Sequence, residues 1–473
     1  MSLMTGNIGF QQYKQKTKRT VKVPGNVRDT IPIHSIAEDG IFEIEPGEDT
    51  RLFDRVYLLE DINYTLKDEK EKEAVLLTLC KILNSINVDF KIIVSNAGRD
   101  MEQFYQEIFY PEDGVYGKLG RNNNEWIKEG LKRGKPEICQ TRYLVLTVRK
   151  KNYEEAKAYF IGLDAILEPL FEAVKSRLEP MNAVERLRTL FGMYRHGKES
   201  RFSWSWDSMI QSKRNWKNEI LPSYMESHKD YIEIDGKYVS VLFALTLPNS
   251  LDESKVMAEL GNLTFPSMIT LDHAPIPRIA VRNKLMAAGR NNERAIHMEQ
   301  ERHMKAKNFV AGVSYEKQKK KEEIEGYLEQ LDDNDENGYF FSMLVTVLAD
   351  SEEELRNRIE AVRFIGEGLG GIEFVTYNFR QMKAFHTALP IGAREVDCMR
   401  CMLTSSLVAF QPFYSKDIIH PGGQFCGINR VTQNIVMLDR KRLKNGNGVI
   451  SGHTGSGKSM FLKSVEIVQT LIG

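Results

Sequence analysis

The chain has 473 residues, of which 42% are hydrophobic and 27% are charged, a composition typical of a globular protein with roughly three domains. Its 65 Lys and Arg residues balance its 65 Asp and Glu residues, which argues against a protein that coats DNA by net charge. The sequence has no run of about 18 apolar residues, so it predicts no transmembrane helix. It also has no apolar signal region, so it does not predict secretion.

The cysteines are few and odd in number, which is typical of a protein of the reducing cytoplasm without a disulfide framework. Two of them, Cys398 and Cys401, form a single C-x-x-C pair. A zinc site needs a second pair or histidines at ligand spacing, and neither is nearby. We therefore interpret this pair as ordinary thiols rather than as a metal or redox site.

Residues 1–28 form a polar tail whose charged residues are all basic. The first acidic residue of the chain, Asp29, follows directly after it. A solvated tail explains this pattern, and a weak contact with an anionic membrane surface or an acidic partner is the alternative. The basic residues of the tail are Lys14, Lys16, Lys18, Arg19, Lys22 and Arg28.

Residues 29–180 are predicted to form an α+β subdomain. Strands are expected at 56–59, 90–94 and 143–148, with a helix over 71–86 that has a broad apolar side. A long helix is expected over 153–178, opened by Asn152 as its N-cap and by acidic residues in its first turn.

The same strand, polar turn and acid-capped helix recur about 200 positions later, where Ser351 takes the N-cap place of Asn152. This recurrence predicts two related α+β layers, with helices packed on one face of a sheet. Two unrelated units that both follow the capping rules are the alternative. The second copy begins in a second α+β subdomain, residues 339–420, with a buried strand over 339–349.

Residues 181–338 are predicted to form a helical and hairpin insertion between the two copies. Helices are expected over 182–202 and 284–331, and a hairpin over 231–247 turns at Asp235-Gly236. Blocks of alternating Lys and Glu in residues 316–323 indicate a solvated helix face rather than a nucleic-acid patch.

Residues 421–473 are predicted to begin an α/β P-loop nucleotide-hydrolysing domain. Strands are expected over 435–438 and 449–451, separated by a turn at 446–448. A helix is expected over 458–472, with Phe461, Val465, Val468 and Leu471 facing inward.

A complete G-x-x-x-x-G-K-[ST] motif joins that second strand to that helix, and this motif predicts a site for a nucleoside triphosphate. The glycines let the backbone wrap closely and point N–H groups at phosphate, while the following helix adds its positive end. Lys458 is expected to reach the β and γ phosphates, and the Ser459 hydroxyl to ligate Mg²⁺. The predicted phosphate-binding residues are Gly452, Thr454, Gly455, Ser456, Gly457, Lys458 and Ser459.

Hydrolysis needs more than this motif: a later strand with an acid that holds Mg²⁺, and an arginine that meets transition-state charge. The sequence ends 14 residues after Ser459, before either of these groups. We therefore expect ATP and Mg²⁺ as ligands of the parent protein, with weak or no ATP binding and no turnover by these 473 residues alone.

Several segments together resemble the conjugation ATPases of type IV secretion systems, the VirB/TrbE/TraC-like proteins. The most specific combination is Gly-Ile-Asn at 427–429 with residues 432–440, 445–448 and the P-loop. The similarity also includes residues 26–33, 39–42, 60–64, 403–410 and 412–413, so it extends over nearly the whole chain.

This resemblance implies an N-terminal α+β domain that docks on secretion channel proteins at the inner face of the cell membrane. It also implies a RecA-like motor of the HerA/FtsK group, hexameric when full length, that hydrolyses ATP to power channel assembly or DNA or protein transfer. The implied location is cytoplasmic and peripheral to the membrane, and any contact with DNA is indirect.

Three hypotheses are compatible with this pattern. The chain is part of a functional secretion ATPase, or it is a truncated, non-enzymatic scaffold subunit of the same machinery, or it belongs to a DNA-translocating motor of the coupling-protein type. Coupling proteins usually carry N-terminal transmembrane helices, so the absence of a predicted one counts against the third hypothesis.

Overall fold

The computed structural model describes residues 27–99, 101–134, 138–212, 215–248, 251–252, 255–305, 314–333, 336–396, 398–443, 445–463 and 465. Most of the predicted basic tail lies outside these residues. Val468 and Leu471 of the predicted C-terminal helix also lie outside them.

Strands and helices alternate along most of the described chain. The strands are β1 (Ser35–Ile36), β2 (Phe42–Glu45), β3 (Arg51–Leu59), β4 (Asp89–Gly98), β5 (Ile138–Lys150), β6 (Leu178–Pro180), β7 (Met225–Ser227), β8 (Ile232–Ile234), β9 (Lys237–Thr246), β10 (Ser267–Ile276), β11 (Gly338–Ala349), β12 (Glu373–Thr376), β13 (Arg400–Leu403), β14 (Gln424–Ile428) and β15 (Ile435–Leu438). The helices are α1 (Glu69–Ser85), α2 (Met101–Ile108), α3 (Gly117–Arg133), α4 (Tyr153–Ala173), α5 (Ala183–Tyr194), α6 (Trp206–Ser212), α7 (Lys217–Ile220), α8 (Val256–Gly261), α9 (Arg278–Lys305), α10 (Tyr315–Asp333), α11 (Glu352–Gly368), α12 (Gln381–Ala388) and α13 (Thr404–Leu407).

Among the described residues, thirteen strands form one antiparallel sheet that contains parts of residues 29–180, 181–338 and 339–420. Its central path runs β1-β2-β3-β5-β4-β10-β11-β9-β8-β7. Strand β6 pairs with β3, β12 pairs with β9, and β13 pairs with β11. The expectation of mixed helices and strands is confirmed.

The sheet is built from two halves with the same topology. In the first half, residues 35–194, the order is three strands, α1, β4, α2, α3, β5, α4, β6 and α5. In the second half, residues 225–388, the order is three strands, α8, β10, α9, α10, β11, α11, β12 and α12. The halves meet where β4 pairs antiparallel with β10, so a pseudo-twofold axis passes between these strands. The recurrence predicted around Asn152 and Ser351 is therefore confirmed, and it extends well beyond one strand and one helix.

Helices pack on both faces of this sheet, so the expectation of helices on one face is wrong. One core cluster contains buried residues of α1, α4, α8 and α11, and the other contains residues of α5, α7 and α12. The physical reason lies in the strands, where buried side chains point to both faces: Leu144 and Leu146 of β5 enter the first cluster and Tyr143 and Val145 the second.

Local sequence signals explain several element boundaries. The Asn152 side chain accepts a hydrogen bond from the Glu155 N–H at 2.9 Å, and Ser351 accepts one from Glu354 at 3.2 Å. Asp235 and Gly236 have φ of 49° and 81°, so the predicted tight turn joins β8 to β9. The predicted helices were too long at their ends: α4 ends at Ala173 and α5 at Tyr194. Residues 284–331 contain parts of two helices, α9 and α10, rather than one.

Residues 389–396, here called the strap, leave α12 and cross the sheet at one end. Lys91 of β4 lies beneath the strap and is 2% exposed. Its Nζ donates to the carbonyl oxygens of Thr387, Ile391 and Ala393 at 2.7, 2.9 and 2.6 Å. Burial lowers the pKa of Lys91 to about 8, so the group remains an ammonium at neutral pH, with one N–H for each carbonyl.

Arg394 of the strap joins the two halves. Its guanidinium donates to both carboxylate oxygens of Asp272 in β10, at 2.7 and 2.5 Å, and to Asp89 in β4 at 2.7 Å. Because Asp272 is 1% exposed, this bidentate pair is shielded from solvent. The strap therefore fastens the seam between β4 and β10.

Asp54 of β3, an interior strand, extends this polar network into the first half of the sheet. It accepts hydrogen bonds from the Gly392 N–H at 2.6 Å and from Arg186 of α5 at 2.7 and 2.9 Å. Both side chains of the ion pair are essentially buried, at 1% and 0% exposure. Each buried charge thus has a partner, which buried ions require.

Within the described ranges, none of the helices combines the length and the apolar character needed to cross a membrane.

Removing the two equivalent N-caps tests how much each contributes to stability. We expect Asn152→Ala and Ser351→Ala each to lower the free energy of unfolding by about 1 kcal/mol, because each leaves a helix N–H without its acceptor. The two caps share no partner, so the double variant should lose the sum. Urea unfolding measures these values; a double variant no less stable than either single one would contradict independent capping.

His273 makes the fold sensitive to acid. Its ring stacks on Phe90 with centroids 4.3 Å apart, and burial lowers its pKa from 6.5 to about 4. The unfolded chain therefore takes up a proton before the folded chain, and stability is lost as pH falls from about 6.5 to about 4. We expect His273→Phe to remove up to about 3 kcal/mol of this loss.

Urea unfolding at pH 7 and pH 4.5 checks this expectation. His34→Gln supplies the control, because it removes a histidine whose side chain is exposed rather than buried in the core. An equally steep loss in His273→Phe and in the wild type would exclude His273 as the cause.

Candidate nucleotide-binding site

The P-loop has the backbone conformation that its glycines permit. Gly455 and Gly457 have φ of 80° and 84°, in the left-handed region that favours glycine. A β-carbon on Gly452 would lie 2.7 Å from the Ser456 hydroxyl oxygen, so a larger residue there would have to displace that side chain. Thr454 and Gly455 form a turn, and a helix begins at Lys458.

Lys458 folds back over the loop. Its Nζ donates to the carbonyl oxygens of Gly452 and His453, at 2.7 Å each. Ser459 follows in the first helical turn and is exposed, as is the loop before it. The structure thus brings together Gly452, Ser456 and Lys458 and leaves the loop open to solvent. Left-handed glycines, an exposed loop and a lysine at the start of a helix are the features that a phosphate-binding loop requires.

The strand predicted over 449–451 is wrong: these residues have no regular structure, and Val449 is 95% exposed. A three-residue apolar run forms a strand only beside a partner, and in the described part of the chain none pairs with it. The described residues of 421–473 instead contain an antiparallel pair, β14 and β15, whose second strand confirms the prediction for 435–438.

The helix after the loop is described as far as Val465. Val465 is 4% exposed, as predicted for an inward residue, whereas Phe461 is 52% exposed. Phe461 nevertheless lines a small cavity with Trp126 of α3 and Phe425 of β14. This cavity places the start of the P-loop helix beside α3.

The hairpin β14–β15 packs on α2 and α3 through a separate apolar cluster. Ile435 and Met437 enter this cluster with Phe104, Ile108, Tyr110, Ile127 and Leu131. A β-carbon on Gly130 of α3 would lie 2.6 Å from the Phe425 ring, so helix and hairpin approach as closely as glycine allows. The Tyr110 hydroxyl also donates to the Gly423 carbonyl at 2.8 Å.

Asp417 organises the turn between β14 and β15. Its carboxylate accepts hydrogen bonds from the side chains of Asn429, Thr432 and Asn434. These three residues belong to the segments that carry the family resemblance. The sequence analysis did not identify Asp417, because its partners follow 12 to 17 residues later and no local spacing rule connects them.

A second aspartate joins the segment before Asp417 to the sheet. Asp61 accepts hydrogen bonds from the N–H groups of Tyr414 and Ser415 at 2.9 and 3.0 Å, and pairs with Arg142 of β5 at 2.7 Å. Arg142 in turn donates to the Pro412 carbonyl at 2.7 Å. The chain that leads to the P-loop is therefore attached to the first half of the sheet by buried ionic hydrogen bonds.

No group of three His, Cys, Asp or Glu side chains in the described residues is arranged to hold a metal ion. Cys398 and Cys401 do not form a disulfide with each other. The Ser459 hydroxyl remains the predicted Mg²⁺ ligand, which acts together with phosphate oxygens rather than with a protein cluster.

Comparison with known proteins gives no family. No model of a protein family matches the chain, and no curated protein matches it.

Asp417→Ala tests the attachment of the hairpin. The substitution leaves three buried or half-buried donors without their acceptor, at a cost of about 1–3 kcal/mol. We expect amide hydrogen exchange in β14 and β15 to accelerate tenfold or more, with exchange in α4 unchanged. Asp113→Ala, at an exposed site, is the matched control. Unchanged exchange in the hairpin would refute the role of Asp417.

Proposed function

We propose that this chain is part of an ATPase that powers a conjugative type IV secretion system. The observation that carries the proposal is the P-loop itself, with Gly455 and Gly457 in left-handed conformations and Lys458 at the start of a helix. The convergence of Asn429, Thr432 and Asn434 on Asp417 supports it, because these are the residues of the resemblance beside the P-loop.

In the proposed site, backbone N–H groups of residues 452–459 surround the phosphates of ATP. Lys458 exchanges its two carbonyl acceptors for phosphate oxygens, and Ser459 ligates Mg²⁺. Exchange costs little, because a hydrogen bond to charged phosphate is stronger than one to a neutral carbonyl. Residues from 421 onward would then belong to a RecA-like α/β domain.

The sheet of residues 35–403 would be the docking domain. Its proposed partners are the channel proteins of the secretion system at the inner face of the membrane, with the full-length protein a hexamer peripheral to that membrane. Asp61 and Arg142, which bind the chain before the P-loop, offer a rigid connection between the motor and this domain.

Lys458→Ala tests the proposal in cells that carry the parent gene. We expect it to weaken ATP binding tenfold or more, since a charge-assisted bond contributes about 1.5–3 kcal/mol, and to abolish conjugative transfer. Lys463→Ala, an exposed lysine on the same helix, is the control and should preserve both.

Equilibrium titration with a fluorescent ATP analogue and a mating assay give the two readouts. Normal transfer by Lys458→Ala would favour the non-enzymatic scaffold. ATP affinity that is identical in Lys458→Ala and the wild type would refute the nucleotide site. Loss of transfer with normal protein level and normal ATP affinity would also contradict the proposed role of Lys458.

A further inference from the structure

A cleft opens at the end of the sheet opposite to the strap. An outer cavity of about 470 Å³ lies at the ends of β4, β10 and β11, and an inner cavity of about 160 Å³ continues between α5 and α12. The two cavities share Gly98, Pro266 and Leu348 in their walls. The cleft is separate from the P-loop.

The pseudo-twofold axis relates this cleft to the groove that the strap fills. In the first half Thr147 pairs with Asp54 and Asp89, and in the second half Thr346 has the same place between β9 and β10. The strap covers Thr147, where a β-carbon on Gly392 would lie 2.7 Å from its hydroxyl. Thr346 instead lines the inner cavity.

The chain that follows α5 does not fill the equivalent groove. It reaches the second half, where Lys198 pairs with Asp235 at 3.0 Å. Gly197, with φ of 75°, then turns the backbone into a short 3₁₀ helix, Glu199–Arg201, whereas the strap continues across the strand ends.

A strand edge continues the cleft, just as β13 continues the strap. β13 pairs with Gly338–Phe341 at the start of β11. The equivalent residues of β5 are 139–142, and they pair with β4 on one side. On the other side β3 pairs only from Arg142 onward, so no strand of the described residues pairs there with residues 138–141. This edge can accept an added strand.

Two buried polar groups at the cleft lack a hydrogen-bond partner. The Thr346 hydroxyl is fully buried, and neither it nor the buried Nη1 of Arg99 has a hydrogen-bond partner in the described structure. Other cations at the cleft have partners: Lys237 pairs with Asp350, and Arg358 with Glu354. The Arg99 guanidinium carbon lies 4.0 Å from the centroid of the Phe104 ring. Acids also line the outer cavity, namely Glu102, Glu199 and Asp350, so it is the charged Nη1 donor of Arg99, rather than a net positive charge, that favours an acidic group in the occupant.

We propose that this cleft binds an extended, acidic peptide segment of a partner protein. The segment runs as the strap does in the other half, places a carboxylate at Arg99 and an apolar side chain in the inner cavity beside Met268 and Phe385, and adds a strand to residues 138–141 of β5. The inference does not depend on ATP binding.

The probe is a phage-displayed library of random octapeptides, selected on the purified chain and then measured as synthetic peptides by fluorescence anisotropy. A β-carbon on Gly98 would meet no atom within 4 Å, so Gly98→Trp fills the cleft without disturbing the core. Gly162→Trp, on an exposed surface of α4 with the same free space, is the matched control. Arg99→Glu is the second variant.

We expect selected peptides to be enriched in Asp or Glu and to bind at least tenfold more weakly to Gly98→Trp and Arg99→Glu than to Gly162→Trp. Selection on Arg99→Glu should enrich basic peptides instead. No enrichment, equal binding to the Gly98 and Gly162 variants, or enrichment without a preference for acids would overturn the proposal. If Gly98→Trp melts at a lower temperature than Gly162→Trp, the proposal is judged by peptide binding to Arg99→Glu instead.

Discussion

The architecture depends on a row of buried charges beneath the strap. Lys91 holds three backbone carbonyls, Arg394 bridges Asp272 and Asp89, and Asp54 joins the strap to Arg186. Removing one member of such a pair typically costs 3–5 kcal/mol, because the remaining charge stays buried without a partner. These contacts connect β3, β4, β10 and α5 to a segment more than 300 residues from Asp54. They therefore select one register for the two halves.

The same row of buried charges distinguishes the two ends of a sheet whose halves are otherwise related by symmetry. At one end the strap covers the strands and leads into β13, and at the other end the equivalent groove is a cleft beside a strand edge. The P-loop is attached on the side of the first half, through α2, α3 and Asp61. The P-loop and the proposed peptide site are thus both connected to one duplicated sheet.

Much of the local structure could be predicted from the sequence, because its signals lie within a few residues. Asn152 and Ser351 cap their helices as expected, Tyr339 to Ala349 lie in a buried strand, and Asp235-Gly236 form a tight turn. The conformation of the P-loop follows from its glycines for the same reason.

What depends on distant partners could not be predicted. The duplication was visible only at one strand and one helix cap, since the other equivalent positions, such as Asp54 and Val241, differ in chemistry. Neither Lys91 nor Asp417 belongs to a recognisable sequence motif. The partners of Lys91 lie 296 or more residues away along the chain. Those of Asp417 lie 12 to 17 residues away. Residues 449–451 had the composition of a strand but no neighbouring strand to pair with in the described residues.

The most direct test of the nucleotide site is a crystal structure of the full-length parent protein with Mg²⁺ and a non-hydrolysable ATP analogue. The proposal predicts that Lys458 leaves the carbonyls of Gly452 and His453 and contacts phosphate oxygens, with the Ser459 hydroxyl on Mg²⁺. Lys458 still bonded to both carbonyls at a saturating analogue concentration, with the loop empty or the analogue bound elsewhere, would contradict it.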